Sequence, residues 1–176
     1  MKKVKLATIW LDGCSGCHMS LLDMDEALAA VLRKADLVYG PLVDAQAFPE
    51  DVDVTLVEGA VSSEHDLEKV RLVRRNSRVV VALGDCATTG NVPAMRNPIP
   101  VREILERVYV EGADEQPGAP AQGVPKLLKH ALPIHEVIPV DLHIPGCPPG
   151  AQAILDAVGA LLDGRMPELG TKVKFG

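Results

Sequence analysis

Arg78-Val79-Val80-Val81-Ala82-Leu83, followed at once by Gly84-Asp85-Cys86, is the stretch of this sequence that decides the fold. A continuous run of β-branched and aliphatic residues is typical of a strand that is buried on both faces, as strands of parallel sheets are. The glycine after Leu83 ends the run and brings a cysteine to the carboxyl end of the predicted strand. The stretch therefore predicts a parallel sheet with a thiol at its edge.

Strands and helices are predicted to alternate on both sides of this run. Further strands are predicted at residues 3–11, 37–43 and 52–61, with a last short one within residues 135–142. Apolar residues at helical spacing, or helix start signals, predict helices at residues 18–33, 62–76, 101–108 and 150–162. We therefore predict one domain over residues 1–176, with an α/β fold of the flavodoxin-like kind: an open, mainly parallel sheet with helices on both faces.

The composition excludes several classes of function. Only 3% of the 176 residues are aromatic and the formal net charge is −6, so the chain is not predicted to bind nucleic acid. No segment approaches the roughly 18 apolar residues that a membrane helix needs. The apolar stretch near the N-terminus is too short for a signal peptide. We therefore expect a cytoplasmic protein, in which cysteines favour metal or redox chemistry over structural disulfides.

The four cysteines are the candidate site. Cys14, Cys86 and Cys147 each follow a predicted strand, and Cys17 completes a Cys-x2-Cys pair with Cys14. Because the carboxyl ends of parallel strands share one edge of a sheet, we expect the four thiols to converge there. Four thiolates suit either a [4Fe–4S] cluster or a zinc ion. A thioredoxin-like redox pair is a further alternative, but it leaves Cys86 and Cys147 unexplained.

The segments around the cysteines carry a family resemblance. The relevant segments are Trp10-Leu11-Asp12-Gly13-Cys14-Ser15-Gly16-Cys17-His18-Met19-Ser20, Glu58-Gly59-Ala60-Val61, Gly84-Asp85-Cys86-Ala87 and Ile144-Pro145-Gly146-Cys147-Pro148-Pro149. In this order and spacing they resemble the small, electron-transferring subunit of [NiFe] hydrogenases and its relative, the 20 kDa-type subunit of NADH:quinone oxidoreductase. The resemblance extends over most of the chain and implies that Cys14, Cys17, Cys86 and Cys147 bind one proximal [4Fe–4S] cluster.

The resemblance also implies partners. A separate large subunit is expected to carry the Ni–Fe centre, and diaphorase subunits are expected to carry further clusters, flavin and NAD(P). The first motif, Cys14-Ser15-Gly16-Cys17, resembles that of hydrogenases. The quinone-reducing subunit typically has two adjacent cysteines at this motif. The chain has no twin-arginine leader and no cysteine after Cys147, which makes it similar to the soluble NAD(P)-linked hydrogenases. It is thus predicted to be part of an oxidoreductase and not to be catalytic alone.

Alternative functions remain open at this stage. The chain could be the iron–sulfur subunit of a quinone-linked or other acceptor-linked hydrogenase-like complex, or a structural zinc protein. A flavodoxin-like sheet could also hold FMN at its strand-order switch, although the sequence lacks the aromatic flanks that such a site commonly shows.

Several other residues have two interpretations. Glu58 could serve a proton route or bind backbone amides of an adjacent turn. His18 could donate to a cluster sulfur or face the partner subunit, but a solvated side chain is preferred. Among His65, His130, His135 and His143, His143 is the one expected to lie closest to the cluster. Trp10 is expected in the core with its indole N–H bonded. Residues 88–100, with Met95 and Arg96, are the predicted partner interface.

Overall fold

The computed structural model describes residues 3–176, apart from the side chain of Thr171. The strands are β1 (Val4–Trp10), β2 (Ala35–Tyr39), β3 (Val52–Glu58), β4 (Val61–Ser63), β5 (Ser77–Leu83), β6 (Leu127–Leu132) and β7 (Leu142–Ile144). The helices are α1 (Gly16–Leu22), α2 (Glu26–Lys34), α3 (Glu64–Asn76), α4 (Asp85–Thr89), α5 (Asn91–Ala94), α6 (Val101–Glu106) and α7 (Ala151–Leu162). Short π-helical or 3₁₀ turns lie at Arg107–Glu111, Ile134–Glu136 and Gly170–Lys172.

Five strands form one parallel sheet in the order β2-β1-β3-β5-β7. The strands β4 and β6 are not part of this sheet. The order of the other five is the doubly wound order of flavodoxin-like proteins, in which the chain starts near the middle of the sheet and winds outwards in both directions. The predicted strand at residues 78–83 lies in the sheet as β5, paired with β3 on one side and β7 on the other. The predicted α/β class is confirmed.

Both faces of the sheet are covered, because side chains of successive residues alternate between them. In β5, Val81 and Leu83 pack on one face with α1, α2 and α7. Val80 and Ala82 of the same strand pack on the other face with α3. The fully buried core is mainly aliphatic, and the aromatic rings of Tyr39 and Phe48 pack only at its margin.

The helix after β4 has the start predicted from the sequence. The Ser63 side chain accepts a hydrogen bond from the backbone N–H of Asp66, and the Asp66 carboxylate accepts one from the Ser63 N–H. This reciprocal capping box satisfies amides that the first turn of a helix leaves free. The predicted end of this helix at Asn76 is confirmed as well.

A small antiparallel ribbon of β4 and β6 lies outside the main sheet and was not predicted. Its outer strand, β6, is bound by side chains from the segment that follows α5. The Asn97 amide donates to the carbonyl oxygen of Ala131 (2.9 Å) and accepts from the Ala131 N–H (2.7 Å). Arg96 donates to the carbonyl oxygens of Leu128 and Ser62. These bonds satisfy backbone groups that an edge strand otherwise leaves free.

Four predicted elements have different bounds in the structure. The helix predicted at residues 18–33 is broken by an aspartate-rich turn around Asp25, where φ is 48°. The strand predicted at 52–61 ends at Glu58, because the chain turns at Gly59 into β4. The strand predicted within 135–142 lies later, at Leu142–Ile144, since Pro139 cannot donate to a sheet ladder. The predicted strand at 37–43 begins and ends earlier, at Ala35–Tyr39.

No helix within residues 3–176 combines the length and the apolar character needed to cross a membrane.

Candidate metal centre

The four cysteines come from three segments at the carboxyl edge of the sheet. Cys14 follows β1 and Cys17 lies in the first turn of α1. Cys86 lies in α4, directly after β5, and Cys147 follows β7. Cys17 is buried and Cys86 is half-buried, whereas Cys14 and Cys147 are exposed. The site therefore has a buried side within the domain and an open side at the surface.

The thiols are near enough to affect each other's ionisation. Burial raises the pKa of the Cys17 thiol well above its ordinary value, and nearby negative charge on Glu58, Cys86, Cys14 and Cys147 raises that pKa further. Burial likewise raises the pKa of Cys86 to about 11, with contributions from Cys147 and Cys14. Like charges that approach one another disfavour ionisation. The segments that carry the cysteines follow β1, β5 and β7 at the carboxyl edge of the sheet, as predicted, and the binding of one group by all four thiols stays a prediction.

Two glycines lie directly against two of the sulfurs. A Cβ atom on Gly84 would lie 2.2 Å from the Sγ of Cys17, and one on Gly16 would lie 3.2 Å from the Sγ of Cys14. Gly84 also has φ 83° and ψ 168°, a backbone region that is almost exclusive to glycine. The turn between β5 and α4 therefore brings its backbone directly against a thiol.

A buried carboxylate joins the segments that carry the two remaining cysteines. Asp85, which is 4% exposed, accepts a hydrogen bond from the backbone N–H of Gly146 (2.7 Å). The Asp85 N–H donates in return to the carbonyl oxygen of Gly146 (2.9 Å). The other carboxylate oxygen of Asp85 accepts from the N–H of Gly176 (2.8 Å). Asp85 thus fixes the segment of Cys86 relative to that of Cys147.

Two N–H donors at the start of α5 lie near the sulfurs of these cysteines. The side-chain amide of Asn91 donates to the Sγ of Cys147 at 3.4 Å. The backbone N–H of Val92 partly offsets the rise in the pKa of the Cys86 thiol. Hydrogen bonds to ligand sulfurs stabilise negative charge at the site.

The Glu58 side chain binds the segment that carries Cys14 and Cys17. Its carboxylate, 2% exposed at the end of β3, accepts hydrogen bonds from the backbone N–H groups of Cys17 (3.3 Å) and His18 (2.9 Å). It is also paired with the Nδ1 atom of His18. The role of binding backbone amides is thus present, although the turn that Glu58 binds is 40 residues distant in sequence.

The expectation that His18 is solvated is wrong. Its side chain is buried, with a residue exposure of 3%, because the partner that holds it is Glu58 in the core. The other ring nitrogen, Nε2, is buried and has no hydrogen-bond partner among the described residues.

Other candidate residues differ from the expectations in part. Trp10 is 47% exposed, so its expected core position is wrong, although its indole N–H does donate to the carbonyl oxygen of Gly13. Arg96 is bound to backbone carbonyl oxygens within the chain, whereas Met95 is 74% exposed. His143 packs edge-to-face on His135, with ring centroids 5.7 Å apart.

The donor set, four cysteine thiols, is chemically suited to an iron–sulfur cluster or to a zinc ion. Within residues 3–176, no three or more His, Cys, Asp or Glu side chains form a group that could enclose one metal ion. A zinc ion needs its sulfur ligands about 2.3 Å from one point. A [4Fe–4S] cluster has its own iron and sulfide atoms between the thiolates, and it therefore accepts ligands that are spaced more widely. The four cysteine thiols supply the number and type of ligands that such a cluster needs.

The comparisons with known proteins agree with this geometry. Residues 14–161 match the family described as NADH ubiquinone oxidoreductase, 20 Kd subunit. The chain belongs to this family. Within it, the chain is 40% identical over 176 residues to the NAD-reducing hydrogenase HoxS subunit delta of Cupriavidus necator, covering 97% of this chain and 84% of that protein.

Two further similarities concern length and fold. The chain is 42% identical over 172 residues to a subunit of the F420-non-reducing hydrogenase vhu of Methanocaldococcus jannaschii, but it spans only 60% of that relative's length. It also matches a chain of the crystal structure of an NAD+-reducing [NiFe]-hydrogenase in the H2-reduced state, with a TM-score of 0.94 and 37% identity. That match covers 99% of this chain and 100% of the other. The resemblance predicted from the cysteine motifs is confirmed.

Proposed function

We propose that this member of the 20 kDa subunit family is the electron-transfer subunit of a cytoplasmic, NAD(P)-linked [NiFe] hydrogenase. The observation that carries the proposal is the position of Cys14, Cys86 and Cys147 after parallel strands at one edge of the sheet, in a fold that matches a chain of an NAD+-reducing [NiFe]-hydrogenase over its full length. The single domain of residues 1–176 has the cysteine site as its only proposed cofactor site.

The proposed ligands are the four cysteines, and the group that they hold is one [4Fe–4S] cluster. Such a cluster supplies reversible one-electron transfer. The chain's own residues prepare the site for it. Gly84, which has no side chain, lets the backbone lie against the Cys17 sulfur, and Asp85 holds the segment of Cys86 against that of Cys147. Because Cys14 and Cys147 are exposed, a docked partner can approach the site closely at their side.

The proposed partners follow from the relatives. The C. necator relative is a subunit of an NAD-reducing hydrogenase, and the matching crystal structure is of an NAD+-reducing [NiFe]-hydrogenase. We expect a large subunit that carries the Ni–Fe site, and diaphorase subunits that carry clusters, flavin and NAD(P). A flavin in this chain itself stays a minor alternative.

Glu58 is assigned here to the support of the first ligand pair, and its role in a proton route stays a second possibility. Its carboxylate already accepts bonds from two backbone amides and contacts the ring of His18. Replacement by Gln separates the two roles. Glu58→Gln should lower the iron content if the carboxylate supports the ligand turn. If Glu58 serves a proton route alone, the variant should keep its iron and lose hydrogen oxidation.

The decisive experiment is hydrogen-dependent reduction of NAD+ and NADP+ by the complex that is purified with this chain. We expect nickel in a co-purifying large subunit and hydrogen-dependent reduction of one of the two nucleotides. Cys86→Ser should lower the iron content and uncouple hydrogen oxidation from nucleotide reduction. Thr89→Ser is a matched control, since it lies in the same short helix and keeps the hydroxyl that donates to the Asp85 carbonyl oxygen.

Two results would replace the proposal by its alternatives. Hydrogen-dependent reduction of a quinone or another acceptor, with no reduction of NAD(P), would indicate an acceptor-linked hydrogenase-like complex. One zinc per chain with no iron would indicate a structural zinc protein. Full iron content and full coupling in Cys86→Ser would show that the ligand set is wrong.

A further inference from the structure

Asn91 is placed against the candidate site in an unusual way. It follows Gly90 at the start of α5, and its side-chain amide donates to the Sγ of Cys147 at 3.4 Å. Of the four cysteines, Cys147 is one of the two that reach the surface. The amide donor therefore meets a ligand sulfur on the side where the site is open.

The backbone at Asn91 is strained. Its φ angle is 35°, within the left-handed region that residues with a side chain seldom adopt, and Gly90 before it has φ 85°. Asparagine tolerates this region better than most residues, but the conformation still has a cost in free energy. Local strain that the surrounding structure maintains is common at functional sites. Here the strained turn aims the Asn91 amide at the Cys147 sulfur.

The segment that follows this turn is anchored to the rest of the fold. Asn97 forms two hydrogen bonds with the backbone of Ala131, and Arg96 donates to the carbonyl oxygens of Ser62 and Leu128. The chain between Gly90 and this anchor is short, so the position of the Asn91 side chain is fixed from both ends. A fixed donor is what a constant interaction with a ligand sulfur requires.

We infer that Asn91 tunes the reduction potential of the cluster by its hydrogen bond to the Cys147 sulfur. The inference rests on the proposed function, since it requires the four cysteines to hold a redox-active cluster. Reduction adds one electron to the cluster and places more negative charge on its ligand sulfurs. A donor at the Cys147 sulfur stabilises that charge more in the reduced state than in the oxidised state, and so raises the potential.

Two substitutions test the side chain without disturbing the turn. Asn91→Gly removes the amide and keeps a residue that adopts positive φ at no steric cost. Asn91→Asp keeps the shape but replaces the donor by a negatively charged acceptor. The midpoint potential of the cluster, measured by EPR-monitored redox titration of the anaerobically purified complex, should fall in Asn91→Gly and fall further in Asn91→Asp. Asn76→Asp, at the end of α3, is the control for the added charge and should leave the potential unchanged.

The outcomes separate this inference from the proposed function. A wild-type complex in which this chain holds no iron would overturn both. Wild-type potentials in Asn91→Gly and Asn91→Asp, with full iron content, would overturn the inference and leave the proposed function intact. Loss of iron from both variants would also overturn it, because Asn91 would then be needed for assembly of the site and not for its potential.

Discussion

Replacement of Gly84 by alanine tests how closely the turn after β5 fits the candidate site. The new methyl group would lie 2.2 Å from the Cys17 sulfur, which is far inside van der Waals contact. The backbone angles of Gly84, φ 83° and ψ 168°, add strain of about 1–3 kcal/mol for a residue with a side chain. Overpacking of a tight interior adds about 1–3 kcal/mol. Gly84→Ala should therefore lower the free energy of unfolding by roughly 2–6 kcal/mol.

The assay combines two measurements on the same preparation. Denaturant unfolding of the metal-free chain gives the loss of stability, and iron per chain after anaerobic reconstitution gives the effect on the site. Because Cys17 must move away from the new methyl group, iron content should fall together with stability. Gly159→Ala is the matched control: it lies within α7, has nothing within 4 Å of its added methyl group, and should stabilise the chain by about 0.5–1 kcal/mol. Wild-type stability and iron content in Gly84→Ala would refute the fit of this turn against the sulfur.

Three further predictions follow from buried polar groups. Asp85→Asn replaces an acceptor oxygen by an amide NH2 group that cannot accept from a backbone N–H. The denaturation midpoint should therefore fall, with a loss of about 1–3 kcal/mol in the free energy of unfolding. An unchanged midpoint would contradict this prediction. Burial and the nearby His135 lower the pKa of His143 below its ordinary 6.5, so the unfolded chain binds protons more readily. The free energy of unfolding therefore falls as the pH falls below 6.5, because protonation of His143 favours the unfolded chain. His143→Asn removes this group and should reduce the difference in the free energy of unfolding between about pH 7.5 and about pH 5.5. Burial raises the pKa of both Cys17 and Cys86, and thiols lose their protons when they bind metal. Iron loading against a competing chelator should therefore increase with pH. Iron loading that does not depend on pH would count against these thiols as ligands.

The general arrangement of the site could be predicted because it depends on local patterns. Val79-Val80-Val81 predicts a buried strand, and a cysteine directly after such a strand must lie at the carboxyl edge of the sheet. The same argument applies to Cys14 and Cys147. The family motifs then reduce the choice of fold and function further.

Contacts between distant segments could not be predicted in this way. His18 follows a cysteine in the first turn of a helix, a position that is often solvated, and its burial depends on Glu58 in another strand. Trp10 ends a strand at the rim of the sheet, where its ring remains exposed although hydrophobicity alone favoured the core. The bonds from Asn97 to Ala131 likewise join residues 34 positions apart. No local pattern of residue types specifies such pairs, because they arise only when the segments pack together.

The metal and sulfide content of the anaerobically purified chain tests the central claim most directly. The account predicts about four iron and four sulfide per chain, no zinc, and an EPR signal of a reduced [4Fe–4S] cluster that disappears in Cys86→Ser. One zinc ion with no iron or sulfide would contradict it.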